Sequence, residues 1–361
     1  MSGCNRIGRA SNTVSAEAPR LGLLVPGLLG PVPAAGGSPG TLPEVRRLCA
    51  LLGGARVGRL PVAGFEPSLA QLFGYPVDPD QDMPVGALGR LGEGLDARPA
   101  GGWMRADPVH LQADMSRLVL VDAPRLGLSA EEAAALAEDL NRTLLAAEGM
   151  RLWTPHPARW YLALDRDAEI RTASLADVTG RSIEPWLPVG PGAARWHRLM
   201  NEVQMVLHAS AVNAARVARG VPAVNSLWFW GSGRGRESVP RIWDRVFAEG
   251  PVARGLAALS GTRAAAVPDS LAECLESSPA TGHNLAVLED ASAPVLHGDH
   301  AGWVEAVEGL EQRWFRPLAA HLRARRARGT VVLYPADGSA RALAVAPWWR
   351  RRPFAQFVNK E

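Results

Sequence analysis

The sequence predicts an α/β protein interrupted by an inserted α+β segment, and three observations carry that reading. Apolar runs of strand length alternate with helical periodicities at both ends of the chain. The middle differs in texture, with longer β-type runs around a few amphipathic helices. Two Gly-rich stretches, at 86–102 and 231–235, stand where the texture changes. The expected division is a tail over 1–19, an α/β domain from 20–95 and 235–361, and an inserted domain over 96–234.

Residues 20–30 read as a buried strand ending in a turn. Leu42, Val45, Leu48, Leu51 and Leu52 then recur at helical spacing up to Gly53-Gly54. Phe65–Tyr75 predicts a short helix stopped by Gly74, and a turn-rich loop follows through Pro84. In the middle, Trp103–His110, Leu118–Val121 and Arg159–Leu164 read as strands. Residues 129–148 predict a helix with Ser129 as N-cap, Glu131 and Glu132 in the first turn, and Gly149 at its end. Trp196–His208 is amphipathic, and Asn213–Arg219 predicts a second short helix. Beyond the Asn225–Trp230 strand, Val239–Phe247 and Pro251–Leu259 read as short helices, and Trp303–Leu322 as a long one. Asn284–Leu288 and Thr330–Tyr334 are strands, with Leu343–Val345 expected to close the sheet.

With 361 residues, 47% of them hydrophobic and 21% charged, the chain can bury a large core. Its formal net charge is +3, and Lys360 is its one lysine. The arginines are scattered apart from Arg323–Arg328 and Arg350–Arg352, so no nucleic-acid face is expected. Cys4, Cys49 and Cys274 lie far apart, which excludes a disulfide framework and suits a reducing cytoplasm. The apolar run Leu21–Leu29 is too short and too broken by Gly and Pro for a signal or membrane helix, so no membrane partner is expected.

The least ordinary stretch is Asn225–Gly235, in which Trp228, Phe229 and Trp230 precede Gly231, Gly233 and Gly235. It reads either as a strand ending in a phosphate cradle or as a plain domain-crossing turn. Metal chemistry is a candidate at His297, Asp299 and His300, with Asp337 as a distant fourth ligand; the bland alternative is a polar loop opening a helix. A second constellation is His156, Arg159, His208, Asn213, Arg216 and Asn225. Guanidinium and amide groups suit a small anionic molecule, whereas the bland reading is surface arginines and a capping Asn213. A Ser/His/Asp nucleophile reading is poor.

From His208 onward the order Asn213, Arg216, Gly220, Pro222, Asn225, then a strand and a Gly turn, resembles the end of the inserted domain in archaeal-type cofactor-independent phosphoglycerate mutases. Gly74-Tyr75 with Asp78-Pro79, the His156–Arg159 pair, His297 followed by Glu305 and Glu308, and the Thr330–Asp337 strand extend the resemblance loosely over nearly the whole chain. It implies an alkaline-phosphatase-like α/β sheet flanked by helices and interrupted by an inserted substrate-binding α+β domain. In an intact member it also implies a divalent cation (Mn, Mg or Zn) and a serine nucleophile.

The departures are as informative as the matches. Pro26-Gly27 stands where the family opens with a metal-binding Asp. Counting back from Gly74, Phe65 takes the place of the serine, and Ser68 is the nearby hydroxyl, out of register. Ala293 stands for an Asp, and Asp337-Gly338 for a closing Asp-His pair. Without cations and an activated serine, phosphoryl transfer loses most of its transition-state stabilisation. The resemblance thus implies an eroded, non-catalytic or regulatory protein similar to RpfE-type regulatory proteins, binding a phosphorylated or carboxylated metabolite or a protein partner. The alternative is an active metal-dependent phosphoglycerate mutase or phosphatase with a rearranged site.

Overall fold

The structure is a computed structural model, and it describes residues 20–32, 41–78, 81–95, 101–114, 117–279, 281–324, 330–347 and 352–358. The predicted tail over 1–19 lies outside the described residues. The strands are β1 (Leu21–Leu24), β2 (Arg56–Arg59), β3 (Gly102–Asp114), β4 (Arg117–Asp122), β5 (Arg151–His156), β6 (Arg159–Leu164), β7 (Ser226–Gly233), β8 (Arg245–Phe247), β9 (Arg263–Ala265), β10 (Asn284–Val287), β11 (Val331–Tyr334) and β12 (Ser339–Ala342). Between them run α1 (Arg46–Gly54), α2 (Phe65–Leu72), α3 (Val85–Gly92), α4 (Ala123–Leu126), α5 (Ala130–Leu140), α6 (Leu175–Val178), α7 (Ala193–His208), α8 (Ala211–Ala218), α9 (Pro251–Leu259), α10 (Leu271–Ser277), α11 (Ser292–Leu296), α12 (His300–Leu310) and α13 (Arg316–Arg323).

The strands form two sheets. One is seven-stranded, in the order β2-β12-β11-β1-β10-β8-β9. β11, β1, β10, β8 and β9 are mutually parallel, with Leu24 opposite both Val287 and Tyr334. β12 and β2 add an antiparallel edge. The other sheet, drawn from residues 102–233, is antiparallel, with β4 and β6 along one side of β3 and β7 along the other.

Period-2 alternation sends the parallel strands' side chains into two cores. Leu21, Leu23, Ala286, Leu288, Val331 and Leu333 face one side, where Leu48, Trp303, Val307 and Leu318 of the flanking helices meet them. Leu24, Leu285, Val287 and Val332 face the other, and that core continues without a break into Met104, Trp160, Trp228 and Phe229 of the antiparallel sheet. The second sheet is therefore packed onto the first through shared apolar surface.

Several local expectations are corrected. The glycines at 86–92, read as the start of a domain boundary, build α3, which crosses α9 at backbone distance. A Cβ added at Gly92 would lie 1.9 Å from the Pro251 carbonyl oxygen, and one at Gly255 2.0 Å from that of Leu88. Val239–Phe247 is not a helix: its end forms β8, while Trp243 is buried with its indole N–H on the Leu72 carbonyl at 2.8 Å. A short apolar run reads alike as buried strand or helix. The closing strand is Ser339–Ala342 rather than Leu343–Val345. The helix predicted over 129–148 is α5 with a true capping box at Ser129 and Glu132, continued by a π-turn over Asn141–Leu145.

The Gly-X-Gly-X-Gly run also finds its place. A Cβ on Gly231 would approach Val85 Cβ at 2.8 Å, and one on Gly233 would approach Pro84 Cβ at 2.8 Å. With φ of 64° and 150°, these glycines seat the bulged end of β7 against the start of α3. They face protein, which removes the cradle reading of that loop.

Candidate functional site at the carboxyl ends of the parallel strands

In open α/β sheets the crevice beyond the carboxyl ends of the strands is the usual binding region. Here the chain segments that leave β1, β10 and β11 close together at that end. Val25 N–H donates to the Tyr334 carbonyl at 2.9 Å, and Leu288 N–H to that of Leu24 at 2.8 Å. Gly64 N–H donates to the Ala336 carbonyl at 2.8 Å, which docks the start of α2 there. Ser292 Oγ reaches the Pro26 carbonyl at 3.4 Å, and a Cβ on Gly27 would meet the Ala291 carbonyl oxygen at 2.7 Å. Pro26, Phe65, Ala291 and Ala336 thus ring the mouth of the sheet.

Two carboxyls occupy this region. Glu66 lies in the first turn of α2, and Glu289 directly follows β10 and Leu288. Burial pushes the Glu289 carboxyl up to about 7, and the charge of Glu66 adds to the rise. The Gly250 N–H and Arg159 act the other way, and Glu249 again raises it. Burial likewise raises Glu66, with Asp177 adding to it, while its own backbone N–H and Arg105 oppose the rise. Desolvation disfavours a carboxylate, and a like charge nearby disfavours it further.

The antiparallel sheet supplies the opposite wall. Arg159 Nε donates to Glu93 Oε1 at 2.7 Å. Behind it lies a closed ion pair: Asp107, fully buried, accepts from Arg105 Nη2 at 2.6 Å, Trp230 Nε1 at 2.8 Å and Trp160 N–H at 3.2 Å. The Arg105 guanidinium lies 5.0 Å from the Tyr161 ring centre and 5.5 Å from that of Trp230. Every oxygen of Asp107 is engaged, so this pair anchors β3, β6 and β7.

The six residues expected to bind an anion divide into groups with separate tasks. His156 and Arg159 pair across the β5–β6 hairpin, where His156 Nδ1 accepts from Ala158 N–H at 3.1 Å. Burial, then the charge of Arg159, lowers the His156 imidazole. Asn213 is buried, with Nδ2 on the Leu207 and Val224 carbonyls at 2.8 and 2.7 Å and Oδ1 accepting Val224 N–H at 2.9 Å. Arg216, 1% exposed, donates to Glu132 Oε2, the Leu126 carbonyl and the Pro222 carbonyl. Asn225 pairs with both backbone groups of Leu111, at 2.7 and 3.0 Å. His208, Asn213 and Asn225 do line one groove of about 950 Å³ with Met205 and Val217, but its lining carries no arginine or carboxylate. The asparagines and Arg216 are thus engaged in structural hydrogen bonds.

The expected metal ligands are likewise not gathered. His297 Nε2 contacts both oxygens of Asp122, at 2.9 and 3.1 Å, linking the loop after α11 to the end of β4. Asp299 is the N-cap of α12, accepting Gly302 N–H at 2.9 Å. His300 Nε2 reaches the Thr41 carbonyl at 3.0 Å, and Asp337 accepts Ser339 N–H at 2.8 Å. Among the described residues, no group of three or more His, Cys, Asp or Glu is arranged to hold a metal ion. These donors do not fit a divalent-cation centre, which draws several protein ligands to one point. Ser68 is fully buried on α2, with no partner for Oγ among the described residues.

Glu66 and Glu289 were missed by the sequence reading, although a signal existed. Glu289-Asp290 directly follows the apolar Asn284–Leu288 run, and a strand-end acid in an α/β sheet points to the crevice.

A mixed sheet flanked by helices makes this an α/β protein. No known family model matches the chain. In sequence, it is related to the archaeal-type 2,3-bisphosphoglycerate-independent phosphoglycerate mutases. It is 25% identical over 273 residues to the one from Methanosarcina barkeri, covering 67% of this chain and 66% of that protein. A probable enzyme of the same name from Geobacter sulfurreducens is 41% identical over 58 residues, 16% of this chain and 14% of that protein. The match thus spans at most 66% of the length of these relatives. The solved structure of a Pyrococcus horikoshii protein superposes with a TM-score of 0.54 at 13% identity, covering 91% of this chain and 88% of that one, which supports the fold. Among the described residues no helix is long and apolar enough to cross a membrane.

Proposed function

We propose that this is a phosphoglycerate-mutase-like protein whose cation and nucleophile site is eroded, and that it acts as a non-catalytic or regulatory binder of a phosphorylated or carboxylated metabolite, in the manner of RpfE-type regulatory proteins. The observation that supports this best is the pair Pro26 and Phe65 at the mouth of the sheet. Proline cannot ligate a cation and phenylalanine cannot attack phosphorus, yet on the resemblance these residues take the places of the family's metal-binding Asp and nucleophilic Ser. The engagement of His297 by Asp122 and of Asp337 by its own turn points the same way. The test is metal analysis of the purified chain, with calorimetric titration of 2- and 3-phosphoglycerate. Binding without stoichiometric Mn, Mg or Zn is expected; a stoichiometric cation that dialysis does not remove contradicts the reading.

One observation favours the active alternative. A carboxyl whose proton comes off near neutral pH has the poise of a general acid, and Glu289 has it. On that reading turnover is abolished by chelation and is lost in Glu289→Gln.

A further inference from the structure

A cavity lies apart from the crevice, where the chain entering α3 meets the antiparallel sheet. It encloses about 430 Å³, within the range of small-molecule sites, and none of the residues named for the crevice lines it. Three parts of the chain build it: Gln81 and Asp82 before α3, the Glu169–Arg171 segment facing Gly190-Pro191 before α7, and Ser232 near the end of β7. Thr172 ties these parts together. Its N–H donates to Asp82 Oδ1 and Oδ2 at 3.1 and 3.0 Å, its hydroxyl donates to Asp82 Oδ2, and its Oγ1 accepts the Gly231 N–H at 3.1 Å. Arg171 exchanges backbone hydrogen bonds with Val189 at 2.8 and 3.0 Å, and Gly192 N–H donates to the Glu169 carbonyl at 3.0 Å. Glu169 has a φ of 54°; among the described residues the other non-glycine residue with positive φ is Ala336, at the mouth of the sheet. Backbone held in that region recurs at ligand sites. The wall of the cavity is thus fixed before anything binds.

The charges on the lining select the ligand. Among the described lining residues two are carboxyls, Asp82 and Glu169, and one is a guanidinium, Arg171. A plain anion meets an excess of negative charge there, and a plain amine meets the like charge of the guanidinium. A molecule with two cationic groups and one carboxylate matches all three. Ile170 and Pro191 add apolar surface suited to a methylene stem, and Gln81 and Ser232 add neutral hydrogen-bonding groups. We propose that this cavity binds a basic α-amino acid of the lysine or arginine kind: its carboxylate pairs with Arg171 and its two cationic groups with Asp82 and Glu169. Asp82 belongs to the chain entering α3 and Glu169 to the segment after β6, so the ligand bridges the two and holds their junction. The inference is independent of the reading of the crevice.

The experiment is calorimetric titration of the full chain with L-lysine and L-arginine. L-norleucine, which lacks the side-chain cation, and cadaverine, which lacks the carboxylate, serve as comparators. At least one basic amino acid is expected to bind about ten-fold or more tightly than either comparator. Glu169→Gln is expected to weaken that binding about ten-fold. Arg171→Gln is expected to weaken it by a similar factor while binding cadaverine no less well than the wild type. Both side chains are exposed, so the variants are expected to keep the wild-type midpoint in urea unfolding. A measurement on the wild type depends on no variant: the backbone amide signals of Thr172 and Gly231, followed by NMR, are expected to shift as the amino acid is added. Norleucine or cadaverine binding as tightly as the basic amino acids overturns the proposal. So do an affinity unchanged in Glu169→Gln, amide signals that stay in place, and absence of binding up to about 10 mM ligand.

Discussion

Asn213 shows how a residue with the spacing of a ligand can serve the backbone instead. Its amide bridges the Leu207 and Val224 carbonyls and accepts the Val224 N–H, tying the end of α7 to the segment that leads into β7. Asn213→Ala strips the buried Val224 N–H and carbonyl of their Asn213 partner, while the Leu207 carbonyl keeps the Ser210 N–H; each unsatisfied group is worth about 1–3 kcal/mol. We expect a loss of roughly 2–4 kcal/mol in urea unfolding. Binding of 3-phosphoglycerate should be unchanged at temperatures where the variant is folded. A tenfold or larger drop in affinity without loss of stability would return Asn213 to the binding site. The sequence offered the residue type and the spacing, but an amide that binds a ligand and one that binds a strand look alike until the partner is seen. Glu289 is the reverse case: one glutamate among many in the sequence, it acquires its chemistry from burial and from Glu66, which α2 brings from more than two hundred positions away.

At the scale of elements, the crossing of α3 and α9 sets how α9 lies beside the crevice. Gly92 and Gly255 let the two backbones touch, and the chain entering α9 in turn presents the Gly250 N–H to Glu289. Gly92→Ala would place a methyl 1.9 Å from the Pro251 carbonyl oxygen, so backbone must move. Overpacking of this kind costs about 1–3 kcal/mol or more. The midpoint of thermal unfolding is expected to fall, and the Glu289 titration to shift as α9 retreats; an unchanged melting temperature would contradict a backbone-to-backbone crossing at Gly92. The glycine content of 86–92 was visible in the sequence, but glycine marks both a turn and a close helix contact, and only the partner helix separates them. Long periodic segments were legible for the opposite reason. Ser129 with Glu132 forms the capping box that its position announces, and the Trp196, Leu199, Met200 and Val203 stripe of α7 is buried as a stripe.

For the whole molecule, the apolar runs of β1, β10 and β11 specified the central parallel sheet, because strands covered on both faces need no alternation of polar residues. The missed strands β2 and β5 are short or partly exposed, and β5 contains Pro155, so neither stands out locally. The crevice was legible only in part. Pro26 and the position of Phe65 were apparent from the resemblance, whereas the placement of Glu66 and Glu289 arises from the packing of distant segments. That packing has a pH signature. Glu289 carries a proton more firmly in the folded protein, at about 7, than its ordinary value of 4.5. Its contribution to stability is therefore complete below pH 4.5, declines as pH rises, and is lost above about 7. The slope is at most about 1.4 kcal/mol per pH unit for this one proton. Glu289→Gln should flatten that part of the stability profile in denaturant unfolding; an unaltered slope would place the charge elsewhere. The central claim is that the fold of a phosphoglycerate mutase is kept here without its phosphoryl-transfer centre. Phosphorus NMR of the chain incubated with 3-phosphoglycerate and Mg tests it most directly: the 3-phosphoglycerate signal is expected to shift on binding and persist, whereas a growing 2-phosphoglycerate signal that requires both the chain and Mg would contradict it.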